Sequence, residues 1–332
     1  MNYSIFVTRS IPEAGIEVLK KSCASVDINQ HDRVLSKSEL IEKVTGRTGV
    51  LCTISDTIDV EIMNAASNVK GFANYGVGYN NIDVVAATVR NIMVSNTPGV
   101  LTDATADLAW ALLFAAARRI AESDAYFRKG AWKGWGPMQF LGADITGKTL
   151  GIAGAGRIGE NMALKSKGFG MTVLYASRHE NTRMEQELGA RRVALEELLK
   201  KSDFISLHVP LTDKTRHYIG PREFGLMKPS AILINTSRGP VIDETALVKT
   251  LREKRIAAAG LDVYEDEPMP KPGLTDLANV VCAPHLGSAT QETRTRMAVM
   301  AAENLIAMIQ GKVPPNLVNP EVVPRFPEGG PH

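Results

Sequence analysis

The chain has 332 residues, 44% of them apolar and 22% charged, which allows two domains with separate cores and does not suggest disorder. A formal net charge of +2 without a long run of one sign argues against a nucleic-acid-binding protein, which would carry a basic face. Three scattered cysteines, Cys23, Cys52 and Cys282, make neither a disulfide framework nor a zinc motif and fit a reducing, cytoplasmic setting.

The N-terminus MNYSIFVTRSIP has no basic head and too short an apolar run for a signal peptide. SIFVT (4–8) reads as a strand, 12–22 as a helix leading to VDIN, and GVLCTI (49–54), GFANYG (71–76) and IMVSNT (92–97) as further buried strands. Strands alternating with helical stretches imply a parallel sheet. One long helix is expected over 102–128, capped by Thr102 or Asp103 and ended by Gly130 and the loop AWKGWGPMQF. Its apolar core, LAWALLFAAA (108–117), spans about three turns before Arg118 and Arg119, so it reads as a buried helix and no membrane span is expected. From 149 a second alternation begins, with strands TLGIAG, MTVLYAS, FISLHVP, AILINTS, AAAGLDV and NVVCAP and helices between them, including 157–168 and 194–202. A last helix is expected over 289–310, followed by a loose Pro/Gly-rich tail, VVPRFPEGGPH. The simplest architecture is α/β with two doubly wound parallel-sheet domains. One domain, 101–287, is inserted in another made of 1–100 and 288–332.

GIAGAGRIGE (151–160) carries Gly154, Gly156 and Gly159 in the spacing G-x-G-x-x-G. Alone this pattern is as compatible with a tight turn as with a ligand. Here it follows a predicted strand and opens a predicted helix, as a dinucleotide fingerprint requires. Gly154 permits the turn, Gly156 lets backbone approach phosphate, Gly159 lets helix and strand pack, and the helix start that carries Arg157 and Ile158 favours an anion. At the end of the next strand, where an NAD site usually has Asp or Glu, stand Ser177 and Arg178. No carboxylate there repels a 2'-phosphate, and Arg178 can pair with one, so NADP(H) is favoured over NAD(H). The alternative is that Arg178 is only a solvated surface residue.

Arg238 in INTSRGPVID, Glu267 in GLDVYEDEP and His285 in APHLGSAT each follow a predicted strand, at the end where doubly wound sheets bind ligands. A histidine exchanges a proton near neutral pH, and an arginine holds a carboxylate by two hydrogen bonds. Each alone has a plainer explanation: a satisfied loop histidine, a surface ion pair, a solvated loop acid.

Together, YGVGYNNID (75–83), NTPGVLTDATAD (96–107), GIAGAGRIG, LHVPLTDKTRH (207–217), INTSRGPVIDE, AAAGLDVYEDEP and APHLGSAT resemble the D-isomer-specific 2-hydroxyacid dehydrogenase family, in that family's order. The resemblance implies a Rossmann dinucleotide-binding domain inserted in a flavodoxin-like substrate domain, and NAD(P)H-dependent reduction of a 2-oxo acid to the D-2-hydroxy acid. His285 would be the general acid/base, paired to Glu267, and Arg238 would hold the substrate carboxylate. The backbone of Val77 and Gly78 would receive that carboxylate. Asp262 would orient the nicotinamide carboxamide. Pro210, Thr236 and Gly287 would line the cofactor, with Thr102 on its phosphate side. LYASRH and the tryptophans of AWKGWGP, Trp132 and Trp135, resemble the glyoxylate/hydroxypyruvate reductase branch, and imply a homodimer in which these tryptophans are lid or packing residues. Alternatives within the family are reduction of 2-ketogluconate or another 2-oxo acid, or phosphite oxidation. Outside catalysis, the alternative is a dinucleotide-sensing corepressor-like protein.

Overall fold

The inner strands of the chain are short, apolar and buried on both faces, the pattern of a parallel sheet covered by helices on either side, while the edge strands Ser25–Ile28 and Arg191–Arg192 are more exposed. The computed structural model describes residues 3–325; the end of the Pro/Gly-rich tail, from 326, lies outside the described residues. The chain divides into two compact units, one taking the segment through Leu101 and the segment from Ala289, the other taking Thr102–Ser288.

In the first unit β1 (Ser4–Val7), α1 (Glu13–Ser22), β2 (Ser25–Ile28), α2 (Lys37–Val44), β3 (Gly49–Thr53), α3 (Val60–Ala65), β4 (Gly71–Tyr75), α4 (Val84–Val89) and β5 (Met93–Ser95) follow one another. The five strands pair in parallel in the order β2-β1-β3-β4-β5, the flavodoxin-like 2-1-3-4-5 winding. Phe6, Val50, Cys52, Phe72 and Val94 join Leu40, Ile62 and Ala87 of α2, α3 and α4 in one apolar cluster. Asp59 and Asp83 cap α3 and α4, and Ser36 forms a capping box with Glu39 at α2.

The second unit holds α5 (Thr102–Ala117), α6 (Ile120–Arg128), β6 (Thr149–Ala153), α7 (Arg157–Lys165), β7 (Thr172–Ala176), α8 (Thr182–Leu188), β8 (Arg191–Arg192), α9 (Leu195–Lys201), β9 (Phe204–Leu207), α10 (Pro221–Phe224), β10 (Ile232–Asn235), α11 (Glu244–Arg252), β11 (Ala258–Leu261) and β12 (Val280–Cys282). Its seven strands pair in the order β12-β11-β10-β9-β6-β7-β8, the Rossmann winding with one strand added at the far edge. Side chains alternate between two apolar layers. Leu150, Ile152, Phe204, Ile232 and Ile234 pack with α5 and α7, while Ala153, Ile205, Leu207 and Leu233 pack with α9 and α11. The winding reverses between β6 and β9, so the ends of these strands form the crevice in which such sheets bind ligands.

The single helix expected over 102–128 is two helices, broken at Arg118 and Arg119. Arg119 takes a left-handed conformation (φ 53°). The returning segment ends α5: Ala143 N–H donates to the carbonyl of Ala117 at 2.8 Å, and a Cβ on Gly142 would lie 2.2 Å from that oxygen. The Arg119 guanidinium pairs with Glu122 and lies 5.2 Å from the Phe140 ring centroid. The helix expected over 157–168 is likewise α7 and then a 3-10 turn, Ser166–Phe169.

The chain then rejoins the first unit as α12 (Gln291–Ile309), capped by Thr290. It packs on α1 so closely that a Cβ on Gly15 would lie 2.7 Å from the Ala298 backbone. Residues 322–325 of the tail continue a 3-10 turn that starts at Pro320.

Candidate active site

The glycine loop follows β6. Gly154 has φ 100°, and a Cβ there would lie 2.7 Å from the His208 backbone; at Gly159 it would lie 2.1 Å from the Gly154 carbonyl oxygen. Gly156 has open space where its side chain would be, and it stands at the N-cap of α7 with no side chain capping that helix. The first amides of α7, at Arg157 and Ile158, therefore sit at a helix start that invites an anion. Thr236 adds a buried hydroxyl oxygen without a partner among the described residues. These residues fit the pyrophosphate of a dinucleotide. After β7, Ser177 is half-buried and Arg178 exposed. The Arg192 guanidinium donates to the carbonyls of both, at 3.1 and 2.6 Å, bringing a second cation under this turn.

His285 and Glu267 meet: Nδ1 lies 2.9 Å from Oε2. The other carboxylate oxygen accepts the Tyr264 N–H at 3.0 Å, which fixes the direction of the glutamate. Burial would raise the Glu267 carboxyl, but the hydrogen bond and charge of His285, the Tyr264 amide and Arg238 outweigh it and hold the group below the usual carboxylate range. With Nδ1 engaged, Nε2 is the nitrogen left to exchange a proton with a ligand. Arg238 follows β10 in a turn whose carbonyl accepts from Asn235 Nδ2 at 3.0 Å, while Asn235 Oδ1 accepts from the amide and hydroxyl of Ser237. Burial pushes the Arg238 guanidinium below its ordinary value, against the attraction of Glu267, and it stays a cation at neutral pH. The arginine turn and the glutamate loop touch directly, because Gly239 has no side chain: a Cβ would lie 1.8 Å from the Tyr264 carbonyl oxygen.

Supports that sequence reading did not identify hold this pair in place. Asp262 is buried, and its two oxygens accept the amides of Leu286 and Gly287 at 2.6 and 2.8 Å. Its own carbonyl accepts the His285 amide at 3.0 Å, so Asp262 shapes the loop that presents His285 at φ 56°. Burial raises the Asp262 carboxyl against these amides. Glu244, also buried, accepts the amides of Glu265 at 2.6 Å and Lys271 at 2.7 Å, while Glu265 accepts the Glu244 amide at 3.2 Å. His217 closes on Glu265 at 2.6 Å. The loop bearing Glu267 is thus tied down on both sides of that residue. The half-buried His208 packs its ring against Ser206 (2.9 Å) and the Met162 sulfur (3.3 Å), and burial lowers its pKa to about 4. Apart from the Ser206–His208 contact, these bonds join residues more than twenty apart in sequence; Asp262, Glu244, His217 and His208 stand in the quoted motifs, but nothing in the motifs marks them as supports for the loops.

The stretch 110–287, over half the chain, matches the family described as D-isomer specific 2-hydroxyacid dehydrogenase, NAD binding domain. The glyoxylate reductase of Thermococcus litoralis is 52% identical over 331 residues, covering 98% of this chain and all of that one. This chain belongs to the D-isomer-specific 2-hydroxyacid dehydrogenase family. The glyoxylate reductase of Korarchaeum cryptofilum is also 52% identical, over 99% of each chain. Among solved structures, a glyoxylate reductase from Paecilomyes thermophila is 32% identical with a TM-score of 0.84, over 96% of this chain and 98% of that one. An NADPH-dependent glyoxylate/hydroxypyruvate reductase of Sinorhizobium meliloti, in complex with NADP and malonate, is 30% identical with a TM-score of 0.84 over the whole of both chains. The protein is an NAD(P)-dependent dehydrogenase that interconverts 2-oxo and 2-hydroxy acids.

The dehydrogenase's remaining candidate residues are distributed as follows. Thr102 begins α5, and Pro210 is exposed, its carbonyl accepting the Thr215 hydroxyl at 2.6 Å. Gly287 is buried against Asp262 and Thr105. Val77 and Gly78 lie in the first unit, in the loop after β4. Trp132 and Trp135 are exposed, Trp135 at 84%, as are Met138, Leu141 and Phe127, whose ring centroid lies 5.9 Å from that of Trp132. Among the described residues no helix is long and apolar enough to cross a membrane.

Proposed function

We propose that this dehydrogenase reduces a small 2-oxo acid, glyoxylate or hydroxypyruvate, to the D-2-hydroxy acid, with NADPH preferred over NADH. The observation that carries the catalytic assignment is the 2.9 Å pair of His285 and Glu267. When bound, reduced nicotinamide dinucleotide supplies the hydride that the carbonyl carbon receives. His285, charged and held by Glu267, gives its proton to the carbonyl oxygen as negative charge grows there; in the reverse direction it takes the hydroxyl proton. Arg238 binds the carboxylate and the carbonyl oxygen, adding a fixed positive charge where it is needed. The amides of Val77 and Gly78 receive the carboxylate. Thr102, Gly154, Gly156, Arg157, Ile158, Gly159, Pro210, Thr236, Asp262 and Gly287 hold the dinucleotide, and Ser177 and Arg178 receive its 2'-phosphate.

NADPH preference is supported by the missing carboxylate at Ser177 and by the cations Arg178 and Arg192 beside it. The exposed aromatic and apolar side chains around Trp132 and Trp135 support a homodimer that covers them, because an exposed group of this kind usually marks a contact. Free cysteines at 23, 52 and 282 suit a cytoplasmic enzyme.

The test is NADPH absorbance decay with glyoxylate, hydroxypyruvate and 2-ketogluconate, repeated with NADH. The highest kcat/KM is expected for NADPH with one of the two small acids. A clear preference for 2-ketogluconate or for NADH would overturn that part of the reading.

A further inference from the structure

The loop after β4 has its carbonyls tied down by asparagines. The Gly76 carbonyl accepts from Asn74 Nδ2 at 3.4 Å and from the Thr97 amide at 3.0 Å. The Val77 carbonyl accepts from Asn96 Nδ2 at 2.8 Å, and the Gly78 carbonyl from Asn74 Nδ2 at 2.9 Å. In a trans peptide the N–H points opposite to the C=O. Holding three successive carbonyls therefore also sets the N–H directions of Val77, Gly78 and Tyr79, each pointing away from the group that holds its plane. Among the described residues none of these three amides has a partner.

The asparagines are themselves oriented. Asn74 is fully buried, and its Oδ1 accepts from Asn81 Nδ2 at 3.3 Å, which turns the Asn74 amide nitrogen towards Gly76 and Gly78. Asn81 Nδ2 is anchored in turn on the carbonyls of Thr53 and Asp56, both at 3.1 Å. Gly76 has no room for a side chain, since a Cβ would lie 2.4 Å from Ile54 Cγ2. Gly76 thus presses on Ile54, just after β3, while the loop carbonyls are bonded to asparagines.

We infer that Asn74 and Asn96 are positioning residues that keep the peptide planes of the 76–79 loop turned with amides, rather than carbonyls, towards the substrate carboxylate. The inference rests on the proposed role of Val77 and Gly78. A peptide flip would put a carbonyl oxygen where a donor is required and repel the anion. Both asparagines are neutral, so their effect comes from orientation and not from added charge.

Asn96 is the gentler position for a test. It is half-buried, and its main-chain bonds to Asn316 and Asn304 do not use its side chain. In Asn96→Ala, KM for the best 2-oxo acid and Ki for oxamate should rise together by about tenfold, with kcat and the KM for NADPH within about twofold, the signature of lost ground-state binding. Asn74→Ser should act in the same direction. Unchanged KM and Ki in both variants, or an equal loss of kcat and NADPH affinity, would overturn the inference. Valine- and glycine-selective nitrogen labelling of the full chain separates this from the reading beneath it. In the NADPH-saturated wild type, oxamate should shift the amide resonances of Val77 and Gly78. If it does not, the carboxylate loop and the asparagine lock fall together. If it does, but Asn96→Ala binds oxamate normally, only the lock falls.

Discussion

At single positions, the chemistry depends on what each side chain can reach. His285 has one ring nitrogen on Glu267 and the other available to a ligand, so its removal should affect proton transfer and little else. His285→Ala is expected to lower kcat by about 100- to 10,000-fold, while NADPH binding, followed by fluorescence titration, stays within about twofold. In the proposed function Ser177 takes the place at which a carboxylate would reject a 2'-phosphate. Ser177→Asp should therefore lower the ratio of kcat/KM for NADPH over NADH by about tenfold or more, and an unchanged ratio would remove Ser177 from the cofactor's adenosine end. Gly239 illustrates a different constraint: its value is the missing Cβ, which lets the arginine turn lie directly on the Tyr264 carbonyl.

At the scale of elements, loops do the positioning and buried carboxylates hold the loops. Glu244 begins α11 and receives two amides from the segment that carries Glu267, so the start of a helix is bonded directly to that loop. In Glu244→Ala the Glu265 and Lys271 amides lose their acceptor, at a cost of about 1–3 kcal/mol for each group left unpaired. The expected outcome is a lower melting temperature together with a kcat/KM reduced by about tenfold, and partial recovery of both in Glu244→Gln, which keeps one acceptor oxygen. The broken helix after Ala117 follows the same logic. Its residues are good helix formers, with neither glycine nor proline at the break, yet the carbonyl that should continue the helix is taken by Ala143. Local propensity is a weak prior that a distant segment overrode.

For the whole molecule, pH acts through groups that folding deprives of water. His208 carries a pKa of about 4 when folded, because burial disfavours its charged form. The unfolded chain, with an ordinary histidine, binds more protons below pH of about 6.5, so this residue makes stability fall as pH drops through that value towards about 4. Melting temperatures measured across this window should decline less steeply in His208→Gln than in the wild type; equal slopes would rule His208 out as a source of the decline. Most strand positions, the glycine loop and the grouping of Arg238, Glu267 and His285 after strands were legible from the amino-acid order, because buried parallel strands are continuous apolar runs and the fingerprint is contiguous; the exposed edge strand Arg191–Arg192 carries no such run and was missed. Asp262, Glu244, His217, Asn74 and Asn96 were not legible as supports, because each acts on backbone groups supplied by other segments or on loop planes whose orientation no local pattern encodes. The order of residues by itself determined most element types, the division into two parallel α/β parts and which side chains could do proton and anion chemistry, since these follow from period, turns and functional groups. Only the tertiary structure decided where the long helix breaks, which ring nitrogen meets the carboxylate and what holds each loop, since a hydrogen bond between distant segments exists only once folding has brought the two partners together.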